Sequence, residues 1–509
     1  MNLSELIGSL EIDKFKGEIE THIESVTCNS KQVTTNSLFI CIRGEKFDGH
    51  NFIEEAIKKG AKVIVVEEWI KVPDLVSLIK VPSTRLALAQ LADNFYGHPS
   101  NDLKIIGITG TNGKTTTAFL VESIFKSAGC KIGRLSTISY QLGLGDEEKK
   151  ADFTTPQPLD LQNYFRYMVN KGLTHCVMEV SSHALFLSRV EQINFQSAIF
   201  TNITRDHLDF HHSFSSYLSS KIRLFELLGD EKEKLAIINI DDPHCDEILC
   251  KVKSKTVKYG LDKDAHVTAT KVHINKDGYP SFNINGTKID LKLIGKHNIY
   301  NALAAAAVAL YNGISLVEIK KGLEAVTGVC GRFEVVHEDN FKVVIDYAHT
   351  PDALRWTLST ARSLEPKRLI TVFGCGGDRD KGKRPLMGRI ASEWSDYTII
   401  TSDNPRSEDP LEIALSIKQG FGEKSNNLDI ILDRREAIAK AIEIAKKGDI
   451  IIIAGKGHED YQIFKDETIY FKDYDVVKEE ISLKKRMNLD GANSYYRHNT
   501  NYERNIGVG

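Results

Sequence analysis

No stretch of the sequence approaches the roughly 18 consecutive apolar residues of a membrane span, and the alanine-rich run over 302–310 is far too short. An excess of one charge is also missing. The 66 Lys and Arg face 69 Asp and Glu, a net −3. That balance excludes a chain built mainly to bind nucleic acid or an acidic membrane face. The first 15 residues carry Glu5, Glu11 and Asp13 and lack a basic segment leading into an apolar core, so no secretory signal is expected. None of the eight cysteines forms a C-x-x-C, and Cys245 and Cys250 have no matching second pair. Free thiols in a reducing cytoplasm are expected, rather than a zinc site or a disulfide framework. What is present, 41% hydrophobic and 27% charged residues over 509 positions, suits a globular enzyme of about three domains.

Three textures follow one another along the chain, and none repeats. Residues 1–100 read as a small α/β unit, with strands over 37–42 and 61–66, a helix over 51–59 between them and another over 84–95. The breaker cluster Gly97-His98-Pro99 closes it. Residues 101–331 carry buried-strand patterns over 104–109, 174–180, 198–203 and 235–240. Helices separate the first of them, which predicts a largely parallel sheet. Alternation over 255–293 predicts an antiparallel addition, and a helix follows over 298–311. Residues 332–487 alternate strands (341–345, 368–373, 397–401, 449–453) with helices (352–363, 385–394, 410–419, 434–446), a Rossmann-like doubly wound unit. The polar tail over 488–509 is expected to be disordered. The fold class is therefore α/β, three domains around a central P-loop parallel sheet, with a hinge expected near 328–331.

The run Gly110-Thr111-Asn112-Gly113-Lys114-Thr115-Thr116 lies between a strand and a helix. That arrangement wraps backbone N–H groups around phosphate oxygens. Lys114 can reach the β- and γ-phosphates and the Thr115 hydroxyl can bind Mg²⁺. Ile108 stands where the usual loop has its first glycine, so the spacing alone is a weak match; the strand–helix context carries it. A G-x-G-x-x-G is absent here, which favours ATP over a dinucleotide.

Two further strand ends carry hard ligands, Glu179 and, just past the next strand, His207. Glu179 and Thr115 suit one Mg²⁺. Taken alone, Glu179 could equally pair with a lysine, and His207 could be a plain hydrogen-bonding residue.

At this point the chain resembles the Mur ligases, the ATP-dependent amide-forming enzymes of cell-wall precursor synthesis. The matches run in order: the phosphate loop, Thr154-Thr-Pro156, Glu179-Val-Ser-Ser-His-Ala-Leu185, Asp206-His-Leu-Asp209, Gly295-Lys-His-Asn298, Gly331-Arg-Phe-Glu334, Asp346-Tyr-Ala-His-Thr-Pro351 and Gly455-Lys-Gly-His-Glu-Asp460. The resemblance implies that Lys221, an ordinary surface lysine by its local sequence, is carbamylated by CO₂ to N6-carboxylysine. With His207 it would then hold a second Mg²⁺. It also implies that Asn298, Arg332 and Asp346 hold the adenine, phosphates and ribose of ATP. Thr154, Thr155, Ser181 and Arg189 would hold a UDP-MurNAc-dipeptide. Its uridine end would lie in the N-terminal unit near Ser30, where Asn29-Ser-Lys31 replaces the commoner Asp-Ser-Arg.

The implied reaction joins an amine to the D-Glu carboxyl of UDP-MurNAc-L-Ala-D-Glu through an acyl phosphate. By its local sequence Asp403-Asn404-Pro405-Arg406 is a turn with a surface arginine. The resemblance implies meso-diaminopimelate, because a guanidinium fork can grip its distal carboxylate and would be left unpaired by L-lysine. Asp403 and Glu459 belong with its distal ammonium, Arg384 with a carboxylate, and Asn404, Pro405 and Gly455 with the same amino acid. meso-Lanthionine has the same terminal groups, and a folylpolyglutamate-synthetase-like ligase shares the ATP loop. The remaining expectations are a cytoplasmic monomer, small-molecule substrates, and no nucleic-acid or membrane partner.

Overall fold

The computed structural model describes residues 1–44, 47–261, 264–422 and 427–486. The tail over 488–509 lies outside the described residues. Among them, no helix is long and apolar enough to cross a membrane. Among the described residues, none of the eight cysteines forms a disulfide.

The chain builds three main sheets in succession. The first has five strands in the order Lys14–Lys16, Ser77–Lys80, Ala61–Val66, Ser37–Ile40, Ser25–Thr27, parallel apart from the first. The strands at 37 and 61 are almost wholly buried, as continuous apolar runs require when both faces are covered. The expected helix over 51–59 is split into a 3₁₀ turn, Gly49–Phe52, and the α-helix Ile53–Lys58.

The second sheet has nine strands, and its parallel core positions the chemistry. Lys104–Thr109 lies at its middle, flanked by Phe195–Phe200 and His175–Glu179. Helix Lys114–Ser127 leaves the central strand through the glycine loop. It packs with His297–Tyr311 and Leu316–Ala325 over one apolar cluster that includes Ile106, Ile108, Val121, Ile124 and Leu303. The alanine run at 302–307 is completely buried, and small side chains are what let this helix lie close to its neighbours.

The antiparallel addition expected over 255–293 is confined to the sheet Thr270–Ile274, Pro280–Ile284, Thr287–Asp290. Lys255–Gly260 instead extends the main sheet, parallel to Leu235–Asn239. The helix Cys245–Leu249 between them makes a strand–helix–strand crossover, and such a connection delivers a parallel neighbour whatever the residue alternation. The strand Ile132–Leu135 has no counterpart in the sequence reading. Its Arg134 is fully buried and breaks the apolar run; Glu122 and Glu148 neutralise it at 2.6 and 2.7 Å.

The third sheet has six strands: Glu334–Glu338, Lys342–Asp346, Ile450–Ala454, Leu369–Phe373, Tyr397–Ile400, Leu428–Ile430. All pairings are parallel except the first. Ion pairs and hydrogen bonds tie this unit to the middle one. Arg205 Nε meets Asp380 at 3.1 Å, and Asn112 Nδ2 donates to Asp352 Oδ2 at 3.1 Å.

Candidate active site

Ligands in open α/β sheets gather beyond the carboxyl ends of the strands. Here Thr109, Glu179 and Asp346 are each the last residue of a strand. A single cavity of about 1690 Å³ opens over these ends, with walls from all three units. Its lining includes Thr111–Thr116, Thr154, Thr155, Glu179, Ser181, Arg189 and His207. Asn298, Arg332 and Asp346 line it too.

The phosphate loop owes its shape to two glycines. Gly110 has φ +150° and Gly113 φ +87°. A Cβ at Gly110 would run into Thr201 Oγ1, and one at Gly113 into Asn301 Oδ1. The loop is tied down by Thr111 N–H to Asn202 O at 2.8 Å and Asn112 N–H to Asn202 Oδ1 at 2.9 Å. Lys114 Nζ donates to the Gly110 and Thr111 carbonyls, both at 2.8 Å, and burial lowers its pKa. Arg332 reaches across from the third unit: its Nη2 donates to Thr115 Oγ1 at 2.9 Å. Its Nε is buried with no hydrogen-bond partner among the described residues, an unfilled donor beside a loop shaped for phosphate.

Glu179 is 1% exposed and accepts from Thr137 N at 2.7 Å and Thr137 Oγ1 at 3.0 Å. Behind it, Thr155 Oγ1 donates to the Glu179 carbonyl at 2.9 Å, and Arg189 Nη1 to the Thr155 carbonyl at 3.2 Å. Ser181 caps the short helix Ser182–Phe186 through Ala184 N–H. Thr137 Oγ1 also reaches Thr154 Oγ1 at 3.2 Å. Thr137 thus links Thr154 to the Glu179 carboxylate, while Thr155, with Ser181 and Arg189 bound to it, holds the Glu179 main chain.

Lys221 is not the surface lysine its local sequence suggests. It is 1% exposed, its Nζ donates to the Gly110 carbonyl at 2.7 Å, and it stands 4.5 Å from the Tyr217 ring centre. Burial, and then Lys114 nearby, push its pKa well below the usual lysine value. Heptad-like spacing on helix Phe214–Leu228 puts Lys221 on the same face as Tyr217 and Leu218, both buried.

His207 contacts Asp206, Nε2 to Oδ2 at 3.1 Å, and burial lowers its pKa to about 3. Sequence reasoning gave no role to the groups around it. Asp206 is also 3.8 Å from His349 Nε2, and His183 lies edge-on to His207 at 4.7 Å. Both His183 and His349 stand inside the quoted motifs, which was the signal available. Among the described residues, no three His, Cys, Asp or Glu side chains converge as a metal-ligand set.

Asp346 accepts from Phe333 N at 2.7 Å, Thr357 Oγ1 at 2.8 Å and Ala348 N at 2.9 Å; burial nevertheless raises its pKa. Asn298 Nδ2 donates to the Ile294 carbonyl at 2.8 Å, and its Oδ1 accepts from Asn301.

The residues expected at the amino acid form a second group outside the large cavity's lining. Glu459 Oε2 accepts from Asn404 Nδ2 at 2.9 Å and Lys456 Nζ at 3.0 Å. Burial and Asp403 raise the Glu459 pKa. Gly455 has φ +113°, and a Cβ there would come 2.6 Å from Asp403 Oδ2. Arg406 Nη1 donates to the Gly377 carbonyl at 2.8 Å. Pro405 and Arg406 line a separate cavity of about 610 Å³ with Glu408 and Lys465. Arg384 grips Glu408 with both terminal nitrogens, at 2.8 and 3.0 Å. Ser30 stands apart, donating to Glu55 Oε2 at 3.2 Å on the N-terminal unit.

Comparison with known proteins agrees along most of the chain. The profile described as Mur ligase family, catalytic domain, matches residues 22–96. Mur ligase middle domain matches 108–309, and Mur ligase, glutamate ligase domain, matches 331–457. A UDP-N-acetylmuramoyl-L-alanyl-D-glutamate--2,6-diaminopimelate ligase of Clostridium tetani is 45% identical over 490 residues, 94% of this chain and 99% of the relative. One of the same description from Syntrophomonas wolfei is 45% identical over 485 residues, with 94% and 99% covered. A solved structure of an enzyme so described superposes with a TM-score of 0.65 at 31% identity, covering 95% of this chain and 99% of that one.

Proposed function

The chain belongs to the Mur ligase family, and from that premise we propose that it adds meso-2,6-diaminopimelate to the D-Glu carboxyl of UDP-N-acetylmuramoyl-L-alanyl-D-glutamate at the expense of ATP. The observation that carries this reading is the shared cavity. A phosphate loop, a buried carboxylate and the Thr154–Thr155–Ser181–Arg189 group line one space. We take the three units to divide near residues 100 and 331, with UDP-MurNAc, ATP and amino acid assigned to them in order. Ser30 would face the uridine end.

The first step moves the γ-phosphoryl group of ATP to the D-Glu carboxylate, releasing ADP; the second lets the amine displace phosphate from the acyl phosphate. Each brings anionic oxygens together, so the barrier is largely electrostatic. Lys114 is poised to leave its own loop carbonyls for the phosphates. The unpaired Nε of Arg332 offers one further donor there. Loop N–H groups at the start of helix Lys114–Ser127 add the positive end of its dipole. Asn298 and Asp346 are assigned to adenine and ribose.

The donor set suits Mg²⁺. Thr115 and Glu179 offer hard oxygens on the cavity wall, and the hydrogen bonds Glu179 accepts come from neutral Thr137. They would hold one ion; His207 and Lys221 as a carbamate would hold a second. Bound there, magnesium would neutralise the phosphate oxygens as charge moves between them. Lys221 suits the modification because a buried ammonium is costly and a carbamate replaces it with oxygen ligands.

In the third unit, Arg406 is assigned to the distal carboxylate of diaminopimelate, and Asp403 and Glu459 to its ammonium. Asn404, Pro405 and Gly455 would shape the contact. Arg384 would act with Glu408, which it already holds. We place the reaction in the cytoplasm and assign it to a monomer. The test is ADP release with UDP-MurNAc-L-Ala-D-Glu in the presence of diaminopimelate, meso-lanthionine or L-lysine. Turnover with diaminopimelate exceeding that with lysine by orders of magnitude is expected; equal turnover would overturn the specificity, and none with any amine would overturn the activity.

A further inference from the structure

We propose that Tyr347 is a positioning residue that holds the nucleotide side and the amino-acid side of the site in register. The inference rests on the reaction proposed above and goes beyond it, since nothing there gives Tyr347 a role.

Tyr347 follows Asp346 at the end of the Lys342–Asp346 strand and lines the large cavity. Its backbone is fixed on both sides: its N–H donates to the Gly331 carbonyl at 2.9 Å, and its carbonyl accepts from His349 Nδ1 at 2.8 Å. Its ring is wedged between His349 and His458, with centres 4.6 and 5.1 Å away. The side chain therefore has little freedom to move.

The face and the hydroxyl of that rigid side chain touch opposite halves of the site. The Arg332 guanidinium stands 4.6 Å from the ring centre, within the range of a cation–π contact. The same guanidinium donates to Thr115 in the phosphate loop. At the tip of the side chain, the Tyr347 hydroxyl donates to Glu459 Oε1 at 3.4 Å. Asn404 and Lys456 both engage Oε2. The hydroxyl thus orients the carboxylate oxygen that those two leave for an incoming ammonium. A cation placed for the first step and an anion placed for the second are spaced by one aromatic ring.

The ring and the hydroxyl are separable. Tyr347→Phe keeps the ring under Arg332 and removes the hydroxyl. It is expected to raise KM for diaminopimelate ~10-fold, as for loss of a hydrogen bond to a charged group, while KM for ATP moves less than ~2-fold. Tyr347→Leu removes both contacts and is expected to raise both KM values. Thermal melting of each variant identifies any that fail to fold. A double-mutant cycle of Tyr347→Phe with Glu459→Gln should then be non-additive in KM for diaminopimelate. Wild-type turnover, measured first, tests the proposed reaction separately. An unchanged KM for diaminopimelate in Tyr347→Phe, equal rises in both KM values, or an additive cycle would overturn the role of Tyr347.

Discussion

Lys114 and Lys221 donate to the same oxygen, the carbonyl of Gly110, at 2.8 and 2.7 Å. Their positions are 107 residues apart in the chain, and both are withdrawn from solvent. Two ammonium groups so close would repel strongly in a buried setting. Converting one of them to a carbamate turns that repulsion into attraction and frees the carbonyl for the other.

Lys221→Ala is therefore expected to lower kcat at least ~100-fold, the scale seen when a preorganised charge is removed from a reacting site. Wild-type enzyme in CO₂-depleted buffer should lose activity and recover it on adding bicarbonate, while the variant should not respond. A fully active Lys221→Ala enzyme would eliminate the modification.

The phosphate loop offers a test that needs no turnover. Gly113→Ala places a Cβ against Asn301 Oδ1 at φ +87°. Left-handed strain and the clash together should weaken ADP binding at least ~10-fold, measured by calorimetric titration. Gly129 has φ +78° and open space around it, so Gly129→Ala, as a control, carries the strain without a clash.

Arg434 and Asp473 form a completely buried ion pair at 2.7 Å, and Arg434 Nη2 also reaches the Ala454 carbonyl at 3.1 Å. Removing one partner strands the other charge. Asp473→Ala is expected to destabilise the third unit by roughly 3–5 kcal/mol, read from denaturant unfolding. Because Ala454 precedes Gly455, the same change should also weaken diaminopimelate binding.

Arg384 lowers the Glu408 pKa to about 2, from an ordinary value of 4.5. The folded state thus binds fewer protons than the unfolded chain between those values. The pair's contribution is complete above pH 4.5 and fades as pH falls towards 2. Glu408→Gln should flatten the loss of stability between pH 5 and pH 3, followed by circular dichroism at each pH. An identical acid profile in the variant would show that other carboxylates set it.

Much of the site was legible because strand, loop and helix are local patterns. The strand at 104–109, its glycine loop and the helix from Lys114 stand where apolar periodicity and glycine placement put them. So does the carboxylate at the end of the strand reaching Glu179. The strand carrying Arg134 was illegible for the opposite reason: its buried charge is tolerated only because Glu122 and Glu148 come from elsewhere in the chain. The same limit hid the parallel partner at 255–260, since alternation reports which face is buried and not which neighbour runs alongside.

Residue order alone thus determined that this chain would present a phosphate-binding turn and acidic strand ends, because each depends on neighbours within a few positions. Only tertiary structure decided that Lys221 would be buried against Gly110, that Arg332 would reach Thr115 across 217 positions, and that Tyr347 would touch Glu459 across 112. The first and last join distant segments of a single unit and the second crosses from the third unit to the middle one, so their cost in desolvation and ordering is repaid only once the chain has packed around them.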